Sequence, residues 1–287
     1  MNTFHTISEI RNWIKTNKLN GKTIGFVPTM GFLHEGHLSL IDAAKRENDL
    51  VILSIFVNPL QFGEGEDFED YPRNYEKDSK LAEEHGVDAI FHPSINEMYP
   101  KKMSATITVH EGTDVLCGVN RPGHFDGVAT VVMKLFSITT PDKAYFGMKD
   151  AQQVAVIERM VSDFHLDLEI VRCPTLREND GLAKSSRNVY LSEVEREEAP
   201  KIYKVLMETK DVILGDMRPS VQQVKQFLTE KLTKELSAKV DYGEVLSFPT
   251  LEHPQQLSGE LLIAVAVKYS KARLIDNIII NVNEGRD

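Results

Sequence analysis

Two histidines and two glycines lie close together in the stretch 28–37, which reads PTMGFLHEGH. The apolar run 23–27 before it predicts a buried parallel strand, and 38–44 after it has the pattern of a helix. At a strand-to-helix junction of an open α/β sheet, backbone N–H groups and the positive end of a helix dipole are available to an anion. His34 and His37 are three residues apart and therefore share one face if both are helical. We expect this stretch to bind a phosphate group.

Three other interpretations compete with phosphate binding by this stretch. The spacing of Gly31 and Gly36 matches a P-loop, but His37 and Leu38 stand where that motif needs Lys and a hydroxyl. A zinc-protease helix has histidines four apart with a glutamate base, whereas these are three apart with Gly36 between them. Both motifs are rejected. Ordinary loop histidines at a glycine-rich turn are the third interpretation, and the stretch alone leaves it open.

Composition places the chain among globular proteins and argues against two classes of partner. Of its 287 residues, 41% are hydrophobic and 26% are charged, and the length is sufficient for two domains. The net charge of −10 argues against a surface for nucleic acid or anionic membrane, since such binding relies on Lys and Arg. Cys117 and Cys173 form no paired spacing, and no apolar run has membrane-span length. We expect a cytoplasmic protein.

Strand-like and helical segments alternate through the first 175 residues. Strands are predicted at 23–27, 50–57, 87–92, 143–146 and 168–171, with an edge strand at 105–109. Helices are predicted at 7–20, 37–47, 74–85, 128–138 and 151–164. This alternation predicts an α/β fold with a Rossmann-like, doubly wound parallel sheet.

The chain changes character after Pro174. A polar stretch at 177–190 is followed by predicted helices at 192–214 and 219–237 and by predicted strands at 242–247, 261–268 and 272–282. Helices followed by consecutive strands are typical of a small α+β domain. We therefore expect two domains, 1–175 and 176–287.

Two residues after the strand at 143–146 carry charge. Asp150 with Gln153 has the spacing of a capping box, which explains Asp150 without any chemistry. Lys149 has no such explanation. A cation at a strand end beside a helix start is suited to bind an anion.

Seven separated segments resemble the motifs of one protein family. They are PTMGFLHEGHLSL, FVNPLQFG, YPR, RPGHFDGV, YFGMKDAQQ, DGLAKSSRN and RLIDNI, which together span nearly the whole chain. In this order they resemble the motifs of the pantoate-β-alanine ligase family of nucleotidyltransferases with a His-x-Gly-His motif. The resemblance implies an ATP- and magnesium-dependent condensation of pantoate with β-alanine through a pantoyl adenylate, giving pantothenate, AMP and pyrophosphate. It also implies a homodimer.

The resemblance further implies roles for individual residues. His37 is implied as the proton donor, within a catalytic set of His34, His37, Lys149 and Arg187. The implied ATP site consists of Met30, Gly31, His34, Gly36, His37, Gly147, Met148, Lys149, Asp150, Leu176, Lys184, Ser185, Ser186 and Arg187. The implied binding residues for pantoate and β-alanine are Gln61, Gln153, Tyr71 and His124, and Asp78 is a candidate magnesium ligand. Many relatives have Met at the place of Lys184, which either adds charge near the pyrophosphate or faces water.

The residue types agree with adenylate chemistry. Fixed donors beside the α-phosphate stabilise the charge that gathers there in the transition state, and amides such as Gln61 and Gln153 both donate to a carboxylate and accept from hydroxyls. No cysteine or serine is placed beside a histidine as a covalent nucleophile. Activation is therefore expected to use the substrate carboxylate itself. We also expect the segments 64–70 and 177–187 to be mobile and to become ordered when ATP binds.

Two rival functions are weighed against this one. Another adenylyl transferase with the same motif, such as an aminoacyl-tRNA synthetase or a mononucleotide adenylyltransferase, is the nearer rival; a synthetase should carry a basic tRNA-binding appendage, which this acidic chain does not show. A nucleotide-sensing protein that has lost its chemistry is the second. Both histidines, Lys149 and Arg187 are present, so no lost group supports that rival.

Overall fold

The computed structural model describes residues 1–63 and 68–282, and its larger sheet has six parallel strands. The strands are β1 Asn2–Phe4, β2 Ile24–Thr29, β3 Leu50–Ile55, β4 Ala89–Phe91, β5 Lys143–Gly147 and β6 Glu169–Cys173. Their order in the sheet is β1-β4-β3-β2-β5-β6. Because β3 and β4 continue to one side of β2 whereas β5 and β6 lie on the other, β2 is the switch point of a doubly wound sheet. The predicted Rossmann-like sheet is confirmed.

Six helices accompany this sheet in the described part of the chain. They are α1 Ile7–Leu19, α2 Glu35–Glu47, α3 Tyr75–Glu84, α4 Ile95–Met98, α5 His124–Thr139 and α6 Ala151–Asp163. The predicted capping box of Thr6 and Glu9 begins α1. Helix α1 packs against α5, and α2 packs against α3. Strands β2 and β3 are buried at nearly every position, as strands covered on both faces must be.

A smaller antiparallel sheet forms the C-terminal part of the fold. Its strands are β7 Lys239–Ser247, β8 Gly259–Lys268 and β9 Arg273–Val282, in that order. Helices α8 Lys201–Leu214 and α9 Val221–Glu235 pack on it, and the short α7 Glu193–Glu198 precedes them. Leu206, Leu228 and Ile263 lie in the core that these elements share. The predicted α+β part of the fold is confirmed.

The contacts divide the chain into two compact units. The first unit consists of Met1–Glu111, Arg121–Met148 and Val156–Pro174, and the second of Gly112–Asn120, Lys149–Ala155 and Thr175–Asp287. The second unit thus takes two short segments from the part of the sequence where the first domain is expected. These units are defined by contacts, whereas a domain is a part of the chain that folds independently. The domain boundary near residue 175 therefore stays a prediction.

The predicted edge strand at 105–109 is wrong. The N–H of Ile107 donates to Thr130 Oγ1 at 3.0 Å, and the N–H of Val109 donates to Asp126 Oδ1 at 2.8 Å. Both acceptors lie on α5. The alternating apolar pattern therefore belongs to a segment that is bound to side chains of a helix, and residues 105–109 are assigned to no strand.

Two helix boundaries also differ from expectation. Helix α5 begins at His124, four residues before the predicted start, because the turn RPGHFDG is already helical in its second half. The predicted helix 192–214 is two helices, α7 and α8, which meet at Ala199 and Pro200. Proline lacks an N–H for the helix ladder, and so favours a new helix start at this point.

No helix among residues 1–63 and 68–282 has both the length and the apolar character that crossing a bilayer requires.

Candidate active site

The two histidines of the phosphate motif cap the start of α2 together. His34 is the N-cap residue in an extended conformation, and the N–H of Gly36 donates to its Nδ1 at 3.1 Å. The N–H of His34 in turn donates to Nδ1 of His37 at 3.4 Å. Because Nδ1 accepts in both rings, the proton of each neutral imidazole is on Nε2. Each neutral ring therefore has its N–H at Nε2.

The predicted proximity of the two rings is present, but its cause differs from the predicted one. The ring centroids are 4.1 Å apart. His34 lies before the first helical residue, Glu35, so a shared helix face does not explain the contact. Instead, the reciprocal cap joins the rings. A Cβ at Gly36 would lie 2.8 Å from Cε1 of His34, so the glycine makes room for this ring.

The backbone of this motif offers fewer free donors than a helix start usually does. The N–H of Gly31 donates to Thr29 Oγ1 at 3.1 Å, and the N–H groups of Phe32 and Leu33 donate to the carboxylate of Asp78, both at 2.7 Å. The N–H of His37 donates to the carbonyl of His34 at 2.8 Å. The expectation of free N–H groups is therefore wrong for these positions.

The carboxyl ends of β2 and β5 lie at the same edge of the larger sheet. The two strands are parallel neighbours, with Gly25 beside Lys143 and Phe26 beside Ala144. Strand β2 leads into Met30, Gly31 and the histidines, whereas β5 ends at Gly147 and is followed by Met148. The first unit thus brings these predicted ATP-site residues to one sheet edge, at the switch point where α/β proteins bind ligands.

Gln61 is held beside this edge by a polar network. Its Nε2 donates to Met30 Sδ at 3.2 Å, and its Oε1 accepts from Nδ2 of Asn58 at 3.3 Å. Asn58 is 1% exposed and its Oδ1 accepts from the hydroxyl of Tyr99 at 2.7 Å. A buried amide with several bonds is a rigid support. The predicted pantoate ligand Gln61 therefore belongs to a preformed cluster.

His124 contacts the backbone of Gln61. Its Nδ1 lies 2.8 Å from the carbonyl oxygen of Gln61, and Nη1 of Arg121 lies 2.9 Å from its Nε2. Because a guanidinium only donates, Nε2 accepts and Nδ1 donates to the carbonyl. Tyr71 is buried, with its ring 6.0 Å from that of Phe62, the residue after Gln61. Three of the four predicted substrate residues, Gln61, Tyr71 and His124, thus belong to the first unit, whereas Gln153 belongs to the second.

The second unit contains Lys149 and Asp150. Lys149 Nζ lies 3.6 Å from Asp150 Oδ2. The carbonyl of Lys149 accepts a hydrogen bond of 2.8 Å from Nδ2 of Asn277, a 7% exposed residue of β9. Strand β9 therefore fixes the backbone at the predicted cationic ligand of the nucleotide.

A buried ion pair anchors the segment that begins at Leu176. Arg177 donates to both carboxylate oxygens of Asp276 at 2.6 and 2.9 Å, and its guanidinium stacks 3.7 Å from the ring centre of Tyr203. Burial raises the pKa of Asp276, while the hydrogen bonds from Arg177 oppose that rise. Bidentate pairs of this kind also fix orientation. The start of the segment 177–187 is therefore tied to β9.

The remaining predicted ATP residues lie together in this segment. The N–H of Lys184 donates to the carbonyl of Leu176 at 2.9 Å, and the N–H of Arg187 donates to Ser185 Oγ at 3.3 Å. Ser186 begins a 3-10 turn that ends at Tyr190. Lys184 Nζ pairs with Glu178 at 3.1 Å, so its charge is partly neutralised within the segment.

Adjacent glutamines on α6 differ in their surroundings. Gln152 is 6% exposed; its Nε2 donates to the carbonyls of Gly112 and Val115 at 2.9 and 2.8 Å, and its Oε1 accepts from the N–H of Cys117 at 3.0 Å. Gln153 is partly exposed. The side chain of Gln152 therefore holds the loop 112–117. Of the two glutamines, Gln153 is the one whose side chain is accessible to a ligand.

The sequence assigned no supporting role to three residues that hold a predicted site residue or its neighbouring backbone. They are Asn58, Arg177 and Asn277. The segment RLIDNI is part of the family resemblance and contains Asp276 and Asn277, so the motif pointed to this strand without giving its role. No group of three His, Cys, Asp or Glu residues within 1–63 and 68–282 has the arrangement of a metal site.

Comparisons with known proteins identify the family. A model of the family described as pantoate-beta-alanine ligase matches residues 2–279. The chain is 55% identical to the pantothenate synthetase of Bacillus pumilus over 284 residues, which is 99% of this chain and 98% of that relative. It is 53% identical to the pantothenate synthetase of Bacillus subtilis over 278 residues, covering 97% and 96% of the two chains.

Solved structures give the same result. The crystal structure of pantothenate synthetase from Thermus thermophilus matches with a TM-score of 0.90 at 43% identity, covering 97% of this chain and 99% of that one. Pantoate-beta-alanine ligase from Francisella tularensis, solved in complex with beta-gamma ATP and beta-alanine, matches with a TM-score of 0.77 at 36% identity over 97% of each chain. The predicted resemblance and ligase class are confirmed, and the chain belongs to the pantoate-beta-alanine ligase family.

Proposed function

We propose that the chain condenses pantoate with β-alanine at the expense of ATP, through a pantoyl adenylate. The pantoate carboxylate attacks the α-phosphorus of ATP, and pyrophosphate leaves. The amine of β-alanine then attacks the acyl carbon, AMP leaves with the bonding pair of the acyl–oxygen bond, and the amine loses one proton to solvent. The observation that carries the proposal is the reciprocal cap of His34 and His37, which places the N–H of each neutral ring on Nε2 at the switch point of the sheet.

The two histidines are assigned to the phosphoryl oxygens. Preorganised donors at a site of growing negative charge lower the barrier, because they need no reorganisation during the reaction. His37 is the proposed proton donor. Lys149 and Arg187 are proposed to neutralise the phosphates, with the other ATP ligands being those named from the family resemblance.

The neutral amides are assigned to pantoate. Gln61 and Gln153 can each donate to its carboxylate and accept from its hydroxyls. Tyr71 and His124 are proposed to line the same substrate region. The polar network around Gln61 supports this assignment, because it holds the amide in one orientation.

Three further assignments rest on family resemblance or composition. ATP is proposed to enter as its magnesium complex, in which the ion is bound chiefly by the phosphates and water, as Mg²⁺ usually is. We also propose a homodimer in the cytoplasm. The predicted ordering of the segment 177–187 on ATP binding is kept as a proposal, and that of 64–70 falls largely on residues 64–67, outside the described part of the chain.

Pyrophosphate release from ATP tests the proposed function. Release is expected with pantoate, and sustained turnover with AMP formation is expected only when β-alanine is also present. An adenylyl transferase for another acid would show no dependence on pantoate. A nucleotide-sensing protein would release no pyrophosphate with any combination.

A further inference from the structure

Asp78 connects helix α3 to the turn that precedes the two histidines. Its side chain is 1% exposed, and it accepts hydrogen bonds from the N–H of Phe32 on Oδ2 and of Leu33 on Oδ1, both at 2.7 Å. Hydrogen bonds to an ionised carboxylate are roughly twice as strong as neutral ones. Each oxygen of the carboxylate thus bonds to the backbone of the turn.

The turn itself needs an external support. Gly31 has φ of 83° and Phe32 has φ of 52°, a left-handed conformation that residues with a side chain rarely adopt. Such backbone persists where surrounding contacts fix it. A Cβ at Gly31 would lie 2.9 Å from Asp78 Oδ2, so the carboxylate and the turn are fitted closely together.

The turn is connected directly to the imidazole rings. The next N–H after Leu33 is that of His34, which donates to Nδ1 of His37. His34 Nδ1 accepts from Gly36. A displacement of the turn would therefore change the reciprocal cap and the orientation of both rings.

We propose that Asp78 is a positioning residue that holds the 31–33 turn so that His34 and His37 present their Nε2–H groups to the nucleotide. The proposal rests on the proposed function of the two histidines. It assigns Asp78 a role different from the magnesium ligand that the family resemblance implies. Both of its oxygens already accept short backbone hydrogen bonds, and Mg²⁺ demands near-ideal octahedral geometry from its ligands.

The test compares Asp78→Asn with Glu76→Gln. Asparagine keeps the shape but places an NH₂ group against a backbone N–H, so at least one bond to the turn is lost. Glu76 is an exposed acid in the same first turn of α3, and its replacement removes the same charge from the helix. The readouts are the nitrogen NMR signals of the imidazoles in the ligand-free protein, the single-turnover rate of pyrophosphate release, and the magnesium concentration that gives half of the maximal rate.

Asp78→Asn is expected to shift the His34 and His37 signals away from the Nε2–H tautomer and to slow pyrophosphate release about 10²-fold, the usual effect of a small misplacement of catalytic groups. The magnesium midpoint should stay within about twofold of that of the unmodified protein, since the metal is not the proposed partner. Glu76→Gln should leave all three readouts unchanged.

Two results would overturn the proposal. The first is a large rise in the magnesium midpoint with recovery of the rate at excess magnesium, which would make Asp78 a metal ligand. The second is a variant with unchanged imidazole signals and rate. If Asp78→Asn does not fold, amide exchange in the unmodified protein decides: slow exchange at Phe32 and Leu33 supports the assignment, and fast exchange contradicts it.

A failure of the proposed function gives a different result. In that case the unmodified protein would release no pyrophosphate with pantoate, whereas the imidazole signals of the ligand-free protein would still respond to Asp78→Asn.

Discussion

The side-chain amide of Asn277 on β9 donates to the backbone carbonyl of Lys149 at 2.8 Å, although the two residues are 128 positions apart. Asn277 is itself held, because its N–H donates to Asp276 and its carbonyl accepts from Arg177. The proposed cation at the phosphates therefore depends on a strand at the other end of the sequence.

Replacing Asn277 with Ala should lower turnover about tenfold, because it frees the backbone at Lys149 and lets the ammonium group move from its productive position. The loss of one hydrogen bond should reduce the free energy of unfolding by only about 1 kcal/mol. Steady-state pyrophosphate release and thermal unfolding measure the two effects. Asn281→Ala, an exposed position on the same strand, is the control; an equal loss of activity there would contradict the assignment.

The variant His37→Asn tests the catalytic role of His37 separately from its role in capping α2. Asparagine offers an oxygen near the place of Nδ1 that can still accept from the N–H of His34, but it lacks the Nε2–H donor. Turnover should fall roughly 10² to 10³-fold, as it does on removal of one such donor elsewhere, while the thermal midpoint stays close to that of the unmodified protein. His37→Ala should lose as much activity and more stability. Full activity in either variant would show that His37 is not a catalytic donor.

The neighbouring glutamines of α6 should respond differently to replacement. Gln153→Ala should raise the KM for pantoate with little change in stability. Gln152→Ala removes three hydrogen bonds of a buried amide and should cost about 2 to 3 kcal/mol in the free energy of unfolding. Denaturant titrations and initial rates of the two variants check this separation. Equal destabilisation by both would mean that Gln153 is also structural.

Glu195 should make the stability depend on pH under acidic conditions. Hydrogen bonds from the backbone N–H groups of Ser192 and Ser270 lower the pKa of this carboxyl to about 2 from its usual 4.5. A lowered folded-state pKa means that the stabilising contribution is complete above pH 4.5 and is lost as the pH falls toward 2. The difference in Tm between the unmodified protein and Glu195→Gln should therefore shrink across this range. Glu193→Gln, exposed in the same helix, should show no such convergence.

The adenylate mechanism predicts a burst. With ATP, magnesium and pantoate but no β-alanine, the chain should release about one pyrophosphate per site and then stall, because a bound acyl adenylate is protected from water. Adding β-alanine should discharge it to AMP and pantothenate. Formation of ADP and phosphate would mean that the carboxylate is activated as an acyl phosphate.

The sequence predicted those features that depend on local pattern. The alternation of apolar strands and helices predicted the parallel sheet. The spacing of His34 and His37 predicted that the rings are close, although the reciprocal cap and not a shared helix face brings them together. The sequence did not predict that Asp78 accepts hydrogen bonds from the N–H groups of Phe32 and Leu33. A local pattern does not show which backbone groups a carboxylate 45 residues further along the chain will bind. The wrong prediction of a strand at 105–109 also comes from partners that the local pattern does not show. The N–H groups of alternate residues, Ile107 and Val109, donate to side chains of α5 instead of to a neighbouring strand.

The division of the chain into two units limits how relatives can be recombined. The second unit includes Gly112–Asn120 and Lys149–Ala155 as well as everything from Thr175. A chimera joined once at residue 175 would take Lys149 from one parent and Asn277 from the other, and would do the same with Cys117 and its contacts Tyr242 and Arg273. If the three segments of the second unit were all taken from one parent, each of these pairs would also come from that parent. A single crossover would instead combine the proposed phosphate-binding lysine of one parent with the Asn277 of the other.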